Sequence, residues 1–517
     1  MTQSRTLPTL CSDLLASPPP PIEIRHLALD SRRVEPDGLF LACAGRRTHG
    51  LARLEEACAR GARAVLWEPA AGVPEPQPRD GVFMAPVAEL SRHASQIAGR
   101  FFGDPSSQMA VIGITGTNGK TTSSWLLADA LNKLGQRTAY LGTLGSGIPG
   151  EVLQSAEYTT EDAVALQQRL FELRQLGAEC IAMEVSSHAL DQQRAAAVQF
   201  RIAAFTNLTR DHLDYHGSMA AYGAAKARLF EMPALAHRVF NVDDVFGAEL
   251  ALRYAHEAEP AAVLWLVARQ TDGRAVIERC RHGAATVNAV CARDVQRTAH
   301  GLVFELEDAT QDCSRVTLEL PLIGEFNVDN ALLAYASLRA LGVAGADACA
   351  ALRASRAPAG RMQTLPVIGH GLAIVDYAHT PDALVKALRA ARGHCRGRLH
   401  LVFGCGGDRD AGKRSVMGRV AAEMADRVVL TDDNPRTEAA AAIIADIRAG
   451  IEGDVEVLVI HDRAAAITQT LQAAAVDDVV LIAGKGHEQY QLVGTERRPF
   501  SDSAVVQQFI ATAGSAA

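Results

Sequence analysis

Among its ten cysteines, at positions 11, 43, 58, 180, 280, 291, 313, 349, 395 and 405, the sequence contains no Cys-x-x-Cys pair. That scatter suggests neither a zinc site nor a disulfide framework, and reduced thiols fit a cytoplasmic protein. No run of 18 apolar residues occurs, and residues 1–24 lack a basic start followed by an apolar stretch. Neither a membrane span nor an export signal is therefore expected. Positive charge is not in excess either, since the formal net charge is -8. The chain offers no general field for nucleic acid or an anionic membrane, so an anionic substrate has to meet local clusters of cations. Internal repeats and low-complexity tracts are absent as well. Small molecules are the expected partners, and a monomer is the expected state.

What is present is an ordinary globular composition, 48% hydrophobic and 21% charged, which disfavours long disorder. At about 150 residues per domain, 517 residues imply roughly three domains. Residues 1–104 read as a small α/β N-terminal domain, with strands at 22–24, 38–42 and 64–67, a helix at 52–60 and a turn at Glu35-Pro36-Asp37-Gly38. Residues 105–356 read as a central doubly wound domain. Its expected strands lie at 109–114, 179–185 and 200–205, its helices run through 125–134 and at 327–341, and an antiparallel patch lies near 316–320. Residues 357–517 give a third series, with strands at 373–377, 399–403, 427–430, 455–460 and 479–483 separated by helical stretches. That alternation is a Rossmann-like, mainly parallel pattern, so the fold class is α/β throughout.

Between the first strand and first helix of the central domain lies Gly116-Thr117-Asn118-Gly119-Lys120-Thr121-Thr122. Successive backbone N–H groups of such a loop, with the helix N-terminus behind them, cradle phosphates; a lysine reaches the outer phosphates and a hydroxyl can bind Mg2+. The spacing departs from GxxxxGK[ST], because Ile114 stands at the first glycine position with Gly113 beside it. A βα turn that uses glycine only for tightness is the plain alternative. GKTT after an apolar strand favours a P-loop, ATPase-like domain that binds ATP and Mg2+.

The loop and three later blocks resemble the Mur ligase family, and the resemblance spans nearly the whole chain. The blocks are Met183-Glu184-Val185-Ser186-Ser187-His188, Thr206-Asn207-Leu208-Thr209-Arg210-Asp211-His212-Leu213-Asp214 and Asp432-Asp433-Asn434-Pro435-Arg436-Thr437. The resemblance implies an ATP-dependent amide-forming ligase of cytoplasmic peptidoglycan precursor synthesis. Such an enzyme must make a carboxylate electrophilic by phosphorylating it, and cations have to stand between the two anions. It implies that residues 116–122 bind ATP, that Lys120, His212 and Lys226 are catalytic, and that Thr121, Glu184, His212 and a carbamylated Lys226 hold Mg2+. Read without the family, Glu184 ends an apolar strand, where ligands collect in parallel sheets, although a solvated or capping glutamate fits too. His212 alone reads as satisfied or exposed, and Lys226, inside the helical stretch 220–230, as a solvated helix lysine.

For the nucleotide, the resemblance adds Asn327 or Asn330 at the adenine and Arg361 and Asp376 at phosphate and ribose; strand-end polar residues without a ligand remain the alternative. Contacts from two domains imply domain closure. Leu29 and Ser31 are implied at the uridine diphosphate, and Thr159, Thr160, Ser186, Gln192 and Arg194 at the dipeptide arm. The chain departs from the family at Arg46-Arg47-Thr48-His49-Gly50, where an aspartate usually precedes the glycine, and at Tyr158 and Glu161, which replace the commoner asparagine and proline.

Within the family the chain resembles the diaminopimelate-adding members. Diaminopimelate differs from lysine by a carboxylate on its far, amine-bearing carbon, and an arginine fork can hold that carboxylate bidentately. Arg436, stiffened by Pro435, is the expected fork, although a surface arginine in a turn is the reading without the family. Arg409, Asp433, Asn434 and Gly484 are implied beside it, with Glu488 pairing with the distal ammonium. The implied substrates are UDP-MurNAc-dipeptide, meso-diaminopimelate and ATP. Alternatives are a lysine-adding sibling ligase, a P-loop phosphotransferase such as a kinase, and a non-catalytic nucleotide-binding regulator.

Overall fold

The computed structural model describes residues 4–45, 48–155, 158–257, 262–298, 301–310, 314–367 and 369–513. Arg46, Arg47 and Cys313 lie outside the described residues. Contacts divide the chain into two compact units, Met1–Asn288 with Ala336–Leu341, and Ala289–Tyr335 with Gly342–Ala517.

In the first unit, four parallel strands in the order His26–Ala28, Gly38–Ala42, Ala62–Trp67 and Phe83–Pro86 form the N-terminal sheet. Strand Gly38–Ala42 is buried along its whole length, as the continuous apolar run of a two-sided parallel sheet should be. Helix Leu90–Phe102 covers one face, burying Leu90, Ala94, Ile97, Ala98 and Phe101 at helical spacing. The core on that side includes Ala163 and Val164 at the start of helix Ala163–Gln175, so the N-terminal sheet shares apolar packing with that helix.

The second sheet of this unit runs Val263–Ala268, His237–Asn241, Phe200–Phe205, Ala110–Thr115, Cys180–Glu184, Thr138–Gly142 and Gly145–Gly147. The first six strands are parallel and the last pairs antiparallel. Strand Ala110–Thr115 lies between Phe200–Phe205 and Cys180–Glu184, whose strand-end residues Phe205 and Glu184 pair with Thr115 and Ile114. The chain order reverses there, so the carboxyl ends of three central strands open onto one crevice. Gly113 is in that strand because Phe200 fills the space above it; a Cβ would stand 2.7 Å from the Phe200 ring.

In the second unit, the expected antiparallel patch is the ladder Val287–Thr298, Gly301–Asp308 and Ser314–Leu320. The C-terminal sheet runs Gln363–Val367, Gly371–Asp376, Val479–Ala483, Leu399–Phe403, Arg427–Leu430 and Glu456–Val459, parallel except at its first pair. Each expected strand of the third series is present within a residue or two of its expected bounds. The hairpin Tyr490–Val493 and Glu496–Pro499 and the strands His237–Asn241 and Val263–Ala268 were not among the expected elements. Among the described residues, no helix is long and apolar enough to cross a membrane.

One ion pair in this unit is fully buried. Arg463 Nε and Nη2 donate to Asp502 Oδ1 and Oδ2 at 2.7 and 2.8 Å, Nη2 also donates to the Ala483 carbonyl at 3.0 Å, and both side chains have 0% exposure. The pair joins helices Arg463–Ala473 and Asp502–Ala513 beneath the end of strand Val479–Ala483. Removing one partner leaves a desolvated charge, so Asp502→Ala is expected to lower the unfolding free energy by about 3–5 kcal/mol. Urea unfolding checks this, and a loss below about 1 kcal/mol would contradict it.

Candidate active site

The phosphate loop turns sharply on two glycines. Gly116 has φ +144°, and a Cβ there would lie 1.9 Å from Thr206 Oγ1. Gly119 has φ +85° and opens helix Lys120–Lys133, and a helix N-terminus behind a glycine loop is the setting that suits an anion. The segment after strand Phe200–Phe205 braces the loop: Thr117 N donates to Asn207 O at 2.7 Å and Thr206 Oγ1 to Asn118 O at 2.6 Å. Asn118 N donates to Asn207 Oδ1, and Thr209 N to Thr117 Oγ1, both at 3.0 Å. Thr121 and Thr122 are buried in the first turn.

Two amines meet on one carbonyl. Lys120 Nζ donates to Gly116 O and Thr117 O at 2.9 Å, and Lys226 Nζ donates to the same Gly116 O at 2.7 Å. Lys226, expected on local grounds to be solvated, is 1% exposed, and its Nζ stands 4.4 Å from the centre of the Tyr222 ring. Burial pushes its pKa well below the ordinary lysine value, and the neighbouring Lys120 charge pushes the same way. Helix Met219–Ala227, begun by a Ser218 cap that accepts from Ala221 N, carries Lys226 under the loop.

Glu184, 1% exposed, ends its strand beside the loop strand, with Val185 N donating to Ile114 O at 2.9 Å. Its Oε1 accepts from Tyr140 Oη and from Thr143 N at 3.0 Å, and its Oε2 from Thr143 Oγ1 at 3.1 Å. His212 sits at φ +51°, about half exposed, with Nε2 3.4 Å from Asp211 Oδ2. Its ring lies 4.9 Å from that of His188 and 6.2 Å from that of Tyr222, whose hydroxyl is 3.2 Å from Thr117 Oγ1. Burial lowers the His188 pKa to about 4, so that ring is neutral at physiological pH. Among the described residues, no three His, Cys, Asp or Glu side chains are grouped to hold a metal unaided. One carboxylate and one hydroxyl, Glu184 and Thr121, do suit a Mg2+ that takes its other ligands from phosphates and water.

The residues that the resemblance assigns to the dipeptide arm are linked to Glu184 through Thr160. Thr160 Oγ1 donates to Glu184 O and accepts from Ser186 N, both at 3.0 Å, and the Thr159 and Thr143 hydroxyls are 3.1 Å apart. Ser186 Oγ accepts from Ala189 N. Arg194 Nη1 donates to Thr160 O at 2.8 Å, while Nε and Nη2 donate to Gln192 Oε1 at 2.9 and 2.7 Å. In the N-terminal sheet, Ser31 Oγ donates to Glu56 Oε2 at 2.7 Å, and Leu29 is half-buried. His49 is a helix cap: Nδ1 accepts from Leu51 N at 3.1 Å, so Nε2 carries the proton and donates to Glu68 O at 2.8 Å. Both of its nitrogens are thereby used. Tyr158 lies under the Arg194 guanidinium, 5.5 Å away, and burial raises the Glu161 pKa.

The second unit holds the other named residues. Asn330 Nδ2 donates to Asn327 Oδ1 and Asn327 Nδ2 to Ile323 O, both at 2.8 Å, at the start of helix Phe326–Ala340. Asp376 ends strand Gly371–Asp376 and accepts from Met362 N and Ala378 N at 2.8 and 2.9 Å. Arg361 stacks 4.8 Å from the Tyr377 ring.

Arg436 has φ +51°, a left-handed backbone that costs a non-glycine residue about 1–3 kcal/mol. Hydrogen bonds fix it, from Arg436 N to Leu492 O at 3.0 Å and from Gly494 N to Arg436 O at 2.7 Å, so the unforeseen hairpin holds the arginine. Its Nη1 donates to Gly407 O at 2.5 Å, and Arg409 is exposed on the same loop. Pro435 is buried in front of it. Asp433 and Asn434 are buried; a Cβ at Gly484, which has φ +114°, would stand 2.6 Å from Asp433 Oδ2. Lys485, with 0% exposure, was not foreseen: its Nζ donates to Asn434 Oδ1 at 3.0 Å and to Glu488 Oε2 at 2.9 Å. Asn434 Nδ2 donates to the same Oε2 at 2.8 Å. Burial raises the Asp433 pKa, against the pull of Arg463 and Lys485.

Three family models match in order: Mur ligase family, catalytic domain, at residues 23–101; Mur ligase middle domain at 114–338; and Mur ligase, glutamate ligase domain, at 360–486. The UDP-N-acetylmuramoyl-L-alanyl-D-glutamate–2,6-diaminopimelate ligase of Pseudomonas aeruginosa is 48% identical over 94% of this chain and 95% of its own. The ligase of the same name from Ectopseudomonas mendocina is 45% identical over 96% and 97%. A solved structure of a UDP-N-acetylmuramoyl-L-alanyl-D-glutamate–2,6-diaminopimelate ligase aligns with TM-score 0.69 at 32% identity, covering 99% of both chains. With three successive domain models and relatives of this identity along almost its full length, the chain belongs to the Mur ligase family.

Proposed function

We propose that the chain joins meso-diaminopimelate to the D-glutamyl γ-carboxylate of UDP-N-acetylmuramoyl-L-alanyl-D-glutamate at the expense of ATP. The observation that carries this reading is the near-full-length identity to relatives of that name, and the Asp433-Asn434-Pro435-Arg436 turn supports it. A γ-carboxylate oxygen attacks the terminal phosphorus of ATP and ADP leaves, giving an acyl phosphate. The amine nitrogen then adds to the acyl carbon, the tetrahedral species collapses, and inorganic phosphate leaves with the former carboxylate oxygen as the amine loses a proton.

Residues 116–122 hold the phosphates, and the Lys120 ammonium offsets charge on the transferring group. Thr121 and Glu184 are the proposed Mg2+ ligands, joined by His212 and by Lys226 as a carbamate. When bound, Mg2+ lowers the charge barrier between phosphate and carboxylate. A neutral buried amine is the form that can add CO2, and the resulting carbamate turns a base beside Lys120 into its counter-charge. Thr159, Thr160, Ser186, Gln192 and Arg194 are assigned to the dipeptide arm, and Leu29 and Ser31 to the uridine diphosphate. Asn327, Asn330, Arg361 and Asp376 are assigned to the nucleotide. For the amine substrate, Arg436 and Arg409 take the distal carboxylate and Glu488 the distal ammonium, with Asp433, Asn434, Pro435 and Gly484 shaping the turn. The domains 1–104, 105–356 and 357–517 then serve the nucleotide-sugar, ATP and the amine respectively.

Phosphate release in the presence of ATP and the nucleotide-sugar dipeptide is expected to need meso-diaminopimelate and to be negligible with lysine. Turnover with lysine and none with diaminopimelate would assign the chain to a sibling reaction, and amine-independent phosphorylation to a phosphotransferase. Lys226→Met is expected to lower turnover about 100-fold or more. Its effect on stability has the opposite sign. Because burial holds the folded-state pKa below the unfolded one, the unfolded chain binds the proton more tightly, so the buried amine weakens the fold at pH below the ordinary lysine value. The penalty fades as pH rises to the ordinary lysine value. Nucleotide-free Lys226→Met should therefore melt no lower than the parent at pH 7, and a drop of several degrees would contradict a lysine pKa lowered by burial.

A further inference from the structure

Arg194 is oriented before any substrate arrives. Its Nε and Nη2 protons go to one acceptor, Gln192 Oε1, and one Nη1 proton goes to Thr160 O. One proton on each terminal nitrogen remains. These two protons are left for a carboxylate, the partner a guanidinium fork suits. Burial disfavours the charged form of Arg194, which makes an anionic partner more valuable.

This arrangement depends on which way the Gln192 amide faces. Its two ends are nearly the same shape, and a flipped amide would set an NH2 group against the guanidinium. Tyr215 breaks the symmetry. Its hydroxyl donates to Asp191 Oδ2 at 3.0 Å and so offers a lone pair to Gln192 Nε2 at 2.9 Å. Asp191 is fixed in turn, since its Oδ1 accepts from Arg228 Nη1 at 3.1 Å, two residues beyond Lys226. The order Arg228, Asp191, Tyr215, Gln192, Arg194, Thr160 is an unbroken polar chain, and Thr160 Oγ1 continues it to Glu184 O at 3.0 Å. Tyr215 sits on the short helix Leu213–His216, with its ring 4.1 Å from His188, so the ring is positioned by packing and the hydroxyl holds the Nε2 end of the amide opposite the Arg194 donors.

We infer that Tyr215 is a positioning residue for the carboxylate-bearing substrate: through Gln192 it presents the open edge of Arg194 to the dipeptide arm. The inference rests on the reading of Arg194 as a dipeptide-arm contact. Tyr215→Phe removes one oxygen and keeps the ring. The full-length variant is expected to show a KM for the UDP-linked dipeptide raised roughly 5- to 20-fold, matching the loss of one oriented charged contact. The KM values for ATP and diaminopimelate and the melting temperature should stay at parent values. Arg194→Ala, assayed in parallel, should raise the same KM further. A Tyr215→Phe KM within twofold of the parent while Arg194→Ala raises it would overturn the inference, as would equal changes in all three KM values. If Arg194→Ala itself leaves the dipeptide KM unchanged, the assignment of the dipeptide arm fails, and the role of Tyr215 with it.

Discussion

The Gly116 carbonyl oxygen, shared by the amines of Lys120 and Lys226, is the point on which the first unit is organised. Burial and the neighbouring Lys120 charge both disfavour the ammonium form of the more deeply buried Lys226. The two identical side chains are thereby set apart, one part-buried beside the loop and one buried beneath it. The rest follows from making room for that meeting. Gly116 has no side chain because Thr206 occupies the space, and Thr206 is there because strand Phe200–Phe205 pairs directly with the loop strand. Strand Cys180–Glu184 pairs on the other side and ends in a carboxylate. The doubly wound sheet sets the loop and Glu184 side by side, and helix Met219–Ala227 brings Lys226 beneath the loop.

The second unit meets the opposite charge problem. Asp433, Glu488 and Asp502 are clustered in a dry sheet end, and Lys485 and Arg463, both fully buried, offset them. Lys485 and Asn434 both donate to Glu488 Oε2, which fixes the carboxylate. Arg436 is held in a left-handed conformation by the hairpin behind it, a backbone cost that its hydrogen bonds to Leu492 and Gly494 offset.

Much of this was legible in the sequence because parallel sheets leave long apolar runs, and glycine loops between such runs have few other uses. Residues 110–115, 399–403 and 479–483 announce themselves that way. Lys226 does not, because its position in an alanine-rich helix predicts solvent; only Tyr222 and the loop packed over it bury the amine. The family resemblance, not helical periodicity, singled it out. Tyr215, Lys485 and Arg463 went unnamed for a related reason: their partners lie elsewhere in the chain, as Asp502 does for Arg463 and Asn434 for Lys485. The hairpin 490–499 was missed because its residues are half-buried or exposed and show no apolar alternation. His49 shows the converse. It departs from the family pattern in sequence, and in the fold it is a cap whose two nitrogens bond locally.

The account stands on the crevice bringing a carboxylate oxygen onto the terminal phosphorus of ATP. An 18O label placed in the γ-carboxylate of the dipeptide substrate follows that bond directly. The phosphate released in each turnover is predicted to carry one labelled oxygen, with the other label retained in the new amide. Released phosphate free of label would mean that the carboxylate never accepts the phosphoryl group, and the account of this site would be wrong.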